Sequence, residues 1–118
     1  MNQQMMEDRL VDFSVVIFQL VRTLKHDFAA EVLAKQMIRS ATSPALNYGE
    51  ARAAESRKDY IHKLSIALKE LRETMVSLKI IEKAALSSNT DVLASAKQEC
   101  NELISILVVT IKKLKMNK

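Results

Sequence analysis

Gln36, Arg39, Ser43, Asn47 and Glu50 recur three or four residues apart. On an α-helix that spacing puts all five side chains along one face, a ladder of hydrogen-bonding groups within an otherwise apolar pattern. Glu70 and Glu73 return two carboxylates to a second segment of the same character. Such a set could hold a polar ligand, or Arg39 and Glu50 could bind each other and Glu70 or Glu73 across a helix interface. Buried charges must be paired, so a ladder that is buried or lies at a helix interface acts as a structural network that fixes register.

The groups that could do covalent chemistry are His26, His62 and Cys100, and nothing in their spacing arranges them. A nucleophilic thiol needs a base beside it, whereas Cys100 falls on the apolar seam of a helix as a small buried hydrophobe. His26 falls at a helix end and His62 among charged surface neighbours. Metal sites in bundles draw on Glu-x-x-His pairs, and no such pair occurs; a Gly-rich phosphate loop is also missing. The expectation is a protein with no catalytic residues, no metal, no cofactor and no small-molecule substrate.

Phosphate recognition is the stronger candidate. Arg52, Arg57, Lys58, His62 and Lys63 gather around one helix junction, interleaved with Glu55 and Asp59, and Tyr60 is the one ring there for stacking. The formal net charge of +4 has an uneven source. Residues 1–111 hold 14 of the 18 Lys and Arg and all 14 Asp and Glu, so the excess is Lys112, Lys113, Lys115 and Lys118. A basic tail attracts phosphates, and lysines at a helix C-terminus are also what the helix dipole favours.

The elements that would position these residues are helices. The chain has 118 residues, of which 48% are hydrophobic, with Gly and Pro once each, so there is almost no turn chemistry with which to connect strands. One domain over residues 1–118 is expected, able to bury roughly two thirds of its unfolded surface. A lone cysteine suits a reducing compartment. The N-terminus lacks the pattern of a signal peptide, and no apolar run exceeds four residues, so the cytoplasm and no membrane are expected.

Four helices fit, over about 8–26, 28–52, 56–86 and 90–115. In the first, Leu10, Phe13, Ile17, Leu20 and Leu24 form a core seam, while Val11, Val15 and Phe18 make a second stripe. Asp27 is placed to cap the second helix, and Pro44 should kink it. Ser56 opens the third, whose seam reads Ile61, Leu64, Leu68, Leu71, Met75 and Leu78. Asn89 or Thr90 caps the fourth, with Leu93, Ala96, Cys100, Leu103, Leu107 and Leu114 inside. Helices one and four carry more apolar surface than a lone protomer can hide, so copies of this chain should meet there.

Taken together, QMIRSATSPALNYGEA (residues 36–51) followed by AESRKDYIHKLSIALKELRET (residues 54–74) resembles the bacterial four helix bundle protein family, also called the rRNA intervening-sequence protein family. Its first hallmark matches Gln36, Arg39, Ser40, Ser43, Asn47 and Glu50. The second matches Ser56, Arg57, Lys58, Asp59, Tyr60, Ala67, Glu70 and Glu73. Pro44 departs from it, since the family often carries Pro one position later. The resemblance implies an all-α, antiparallel up-down four-helix bundle assembling as a homopentamer, with no enzymatic activity. It further implies a relation to accessory proteins of diversity-generating retroelements, which bind nucleic acid. The reading that follows is a pentamer binding structured RNA or DNA through basic patches; the alternative is a scaffold or accessory subunit whose partner is another protein, such as a polymerase.

Overall fold

The computed structural model describes residues 1–117, so Lys118 of the basic tail lies outside the described residues. Four helices account for nearly all of the chain: α1 Gln3–Val21, α2 Phe28–Arg52, α3 Arg57–Lys83 and α4 Thr90–Met116. Among the described residues there is no strand, only a single bridge between Leu24 and Ser87. The bundle is 48 Å long and 20 Å across.

Each helix starts where a side chain satisfies an orphan amide. Asn2 accepts from Met5 N at 2.8 Å, Asp27 from Ala30 N at 2.9 Å, Ser56 from Asp59 N at 3.0 Å and Asn89 from Val92 N at 3.0 Å. Asn2 explains why α1 begins near residue 3 and not at Asp8. The same helix stops at Val21, short of residue 26, because Thr23 turns its hydroxyl onto the Leu20 carbonyl at 2.6 Å.

The third helix ends at Lys83, not at 86, in a left-handed residue that is not glycine: Ala85 has φ 54. Leu86 N then reaches the Ile81 carbonyl at 3.0 Å and Ala85 N the Glu82 carbonyl at 3.2 Å. This is a Schellman closure, and its paired apolar residues, Ile81 and Leu86, are both buried. The chain after it joins the turn after α1. Lys25 N donates to Leu86 O and Ser88 N to Thr23 O, each at 2.9 Å, and the hydroxyls of Thr23 and Ser87 lie 2.6 Å apart.

The core is built from Leu10, Phe13, Ile17 and Leu20 of α1, Met37 and Ala41 of α2, Leu64, Leu71, Leu78 and Ile81 of α3, and Leu103 and Leu107 of α4. No buried side-chain nitrogen or oxygen among the described residues lacks a partner. Two seams differ from the expected ones. In α3 the fully buried positions are Leu64, Ala67, Leu71, Thr74, Leu78 and Ile81, while Ile61, Leu68 and Met75 are half-buried on its flank. In α4, Ile111 takes the inner place expected of Leu114. The small side chains Ala67, Thr74 and Ser77 leave α2 room to pack against α3. Pro44 does not end α2; it lies in the buried face, and the helix is continuous through it.

Candidate nucleic-acid interface

The helix junction expected to gather cations is half neutralised. Arg52 donates to Glu7 Oε1 at 3.1 Å and to Gln4 Oε1 at 3.0 Å, and Lys63 Nζ lies 3.0 Å from Glu50 Oε1. Arg57 donates to the Leu114 carbonyl near the C-terminus of α4, where a cation suits the helix dipole. Lys58 and His62 are exposed. Tyr60 is half-buried against the core, and its hydroxyl accepts from Gln3 Nε2 at 3.1 Å, which leaves it a poor stacking platform. In the tail, Lys112 and Lys115 line the groove between α3 and α4, whereas Lys113 lines no part of it.

A longer basic feature replaces that cluster. Lys58, His62, Lys69, Arg72, Lys79 and Lys83 are all exposed along α3, at steps of three, four or seven residues that keep them toward one side of the helix. From Lys58 to Lys83 the run is about 38 Å long. None of the six belongs to an ion pair among the described residues. Three of the four acids of α3 are meanwhile drawn off by other helices: Glu70 and Glu73 by Arg39 of α2, and Glu82 by Lys97 of α4 at 2.6 Å, while Asp59 stays in the first turn beside Lys58. Lys69, Arg72, Lys79 and Lys83 were missed in the sequence because three carboxylates, Glu70, Glu73 and Glu82, are interspersed with them. Removing the core seam and then the paired acids exposes the row.

The polar ladder lies at the rim of the α2–α3 interface. Arg39 spans the two helices, with Nη1 3.2 Å from Glu70 Oε2 and Nη2 2.5 Å from Glu73 Oε2. Its side chain is 59% exposed, while that of Glu70 is 15% exposed. The ladder is therefore interfacial but, at Arg39, open to water. Glu50 pairs with Lys63 and not with Arg39. Asn47 stays within its own helix, donating to Ser43 O at 3.0 Å and Ser43 Oγ at 2.9 Å. Gln36 is exposed. Burial, followed by the hydrogen bond to Glu73, holds the Glu70 carboxyl above the usual carboxylate range, and Arg39 pulls it partly back. The hydrogen bond to Glu73 in turn raises the Arg39 guanidinium.

A second clasp joins α1 to α4. Arg9 Nε and Nη2 each lie 2.7 Å from a Glu99 carboxylate oxygen, and Nη2 is 2.9 Å from Glu102. Bidentate geometry of this kind fixes the relation of two helices as well as their charge. The would-be chemical groups are dispersed. Cys100 is fully buried, its thiol donates to the Leu71 carbonyl at 3.3 Å, and burial pushes it up to about 12. His26 is exposed in the turn after α1 and His62 on α3. Among the described residues no three His, Cys, Asp or Glu side chains converge as metal ligands. No helix of the described residues is long and apolar enough to cross a membrane.

None of the curated proteins matches the chain significantly. A solved structure from Bacteroides thetaiotaomicron, described as a protein of unknown function from the S23 ribosomal protein family, is similar over its whole length. It is 33% identical, with 95% of this chain and 99% of that one covered and a TM-score of 0.82. The model of the 23S rRNA-intervening sequence protein family matches residues 4–109, which takes in the ladder, both clasps and the whole α3 row. The chain belongs to the 23S rRNA-intervening sequence protein family.

Proposed function

We propose that this protein is a non-catalytic bundle that assembles as a homopentamer and binds structured nucleic acid, RNA first, along the outer face of α3. The observation that carries this reading is the row from Lys58 to Lys83, exposed basic side chains outside any ion pair among the described residues, with Glu70, Glu73 and Glu82 engaged by other helices. Unpaired cations at such intervals suit a run of phosphates, and repeating the strip on five copies turns weak contacts into avidity. An antiparallel up-down order of helices is supported by the ion pairs Glu7 to Arg52, Glu50 to Lys63 and Glu82 to Lys97, each of which joins the first part of one helix to the last part of its neighbour. Assembly is supported by Val11, Val15 and Phe18, which stay exposed together on α1. The dispersal of Cys100, His26 and His62 supports a binding role over a chemical one.

The test is titration of a labelled RNA hairpin, with a DNA duplex beside it, across a salt series. Affinity should fall steeply with salt, and Lys69→Ala with Lys83→Ala should weaken binding and reduce the logarithmic slope by about 2. Absence of binding at low salt, or a slope unmoved by the two substitutions, would overturn the reading. A protein partner, such as a polymerase, is the second reading, favoured by the exposed apolar side chains of α1. Capture of one dominant protein that survives nuclease treatment would decide for it.

A further inference from the structure

We infer that α1 of one copy docks head to tail into the groove between α3 and α4 of the next. This rests on the assembly part of the reading above and names the two surfaces that meet. The first is the outer side of α1, where Val11, Val15 and Phe18 remain 47%, 46% and 38% exposed. Asp8 and Asp12 stand beside that stripe, and both are exposed. Arg9 of α1 is taken up by Glu99 and Glu102 on the side toward α4, and the cation in line with the stripe, Arg22, stands beyond Phe18 at the C-terminal end of the helix, away from Asp8 and Asp12. The stripe is thus apolar with an acidic edge.

The groove between α3 and α4 has the opposite character. Its floor is Ile61, Leu68, Val108 and Leu114, and Arg57, Lys58, Arg72, Lys112 and Lys115 stand along it. Two hollows that share Lys115 make it continuous, and neither is lined by a carboxylate. Phosphates alone would leave the apolar floor uncovered, which costs the burial those side chains can offer. A helix that is both oily and acidic satisfies floor and walls together, and α1 is such a helix. The lengths agree: Val11 to Phe18 and Ile61 to Leu68 each span seven residues, about 10 Å of helix. Of the other exposed apolar pairs on long helices, Val76 and Ile80 lie among Arg72, Lys79 and Lys83, so their charge matches the groove and would repel it, and Phe28 and Val32 span only four residues at the start of α2, about half the length of the floor.

Because each copy carries one stripe and one groove, the contact is heterologous, and a chain of such contacts closes into a ring when its rotation permits. Docking covers Lys58 and Arg72 of the α3 row, while His62, Lys69, Lys79 and Lys83 line neither hollow and stay outside the contact, free to face a ligand from every copy.

Charge reversal tests the pairing, with mass read by light scattering at micromolar concentration and helicity by circular dichroism. All four targets are exposed in the protomer, so folding should survive. The wild-type chain should be a multimer. Asp8→Lys with Asp12→Lys should reduce its mass, as should Lys112→Glu with Lys115→Glu, and the chain carrying all four changes should regain the wild-type mass. A wild-type monomer, a groove variant of unchanged mass, or a helical four-fold variant that stays small would each overturn the docking. Titrating the wild-type chain with the RNA hairpin separates this from the binding reading: a monomer with salt-dependent affinity sinks the docking alone, and a multimer indifferent to RNA sinks the nucleic-acid reading alone.

Discussion

Ser40 and Thr74 meet hydroxyl to hydroxyl, 2.8 Å apart, at a point where neither residue retains any exposure to solvent. The Thr74 hydroxyl lies 2.9 Å from the Glu70 carbonyl of its own helix, so the protons can be placed in sequence from Ser40 to Thr74 to Glu70. The pair sits one position from Arg39 and one from Glu73, directly beneath the exposed clasp. Interface register is therefore held twice, once dry and once wet.

Thr74→Val removes the hydroxyl partner of Ser40 inside the core, leaving Ser40 only the Met37 carbonyl at 3.3 Å, and is expected to cost about 1 kcal/mol. Ser40→Ala should cost a similar amount, and the two together should cost clearly less than their sum, because the bond between the two hydroxyls can be lost only once. Urea unfolding of the four-member cycle gives the coupling. Strict additivity would mean that the two hydroxyls do not depend on each other.

Ala85 closes α3 in a left-handed conformation that favours glycine. Ala85→Gly leaves the Schellman bonds in place and relieves the Cβ, so the fold should gain about 1 kcal/mol and the Tm should rise by about 4 °C. Calorimetry would read it directly. A lower Tm for the glycine variant would contradict the assigned strain.

Arg39 should matter more near neutrality than in acid. The Glu70 carboxyl is held above its ordinary value of 4.5, so the stability it contributes is present below that value, while it is protonated, and is lost as pH climbs through the raised one. Arg39 limits that loss by attracting the ionised form. Arg39→Ala is therefore expected to lower the Tm at about pH 7 and to matter little at about pH 4, and adding Glu70→Gln should recover much of the difference at pH 7. Equal losses at both pH values would show that packing of the Arg39 stem, and not its charge, was removed.

Helix caps were the most legible part of the fold, since Asp27, Ser56 and Asn89 each stand one residue before the helix they start. Asn2 was not read as a cap because the Gln-Gln-Met-Met that follows carries no apolar period. The α3 seam was read through its largest apolar residues, which rotated it. Ile61, Leu68 and Met75 look like core but flank it, since close approach to α2 needs Ala67, Thr74 and Ser77 inside. The ladder was legible as an interface through its spacing, though not the exposure of Arg39, which depends on how far α2 and α3 stand apart at their rim. The basic site was least legible. Arg52 and Lys63 are cancelled by Glu7 and Glu50, and the α3 row is released by Arg39 and Lys97, pairings between helices that no local window contains.

The main-chain bonds that tie Thr23 and Lys25 to Ser88 and Leu86 run across the middle of the chain's connectivity, from the turn inside its first half to the turn inside its second. Neither half can swing away without breaking both bonds and uncovering Leu24 and Leu86, which are buried beside them. Exchange of helical hairpins between neighbours is penalised from the outset. In the proposed assembly, copies of this chain would therefore meet as finished units, each keeping its own four helices.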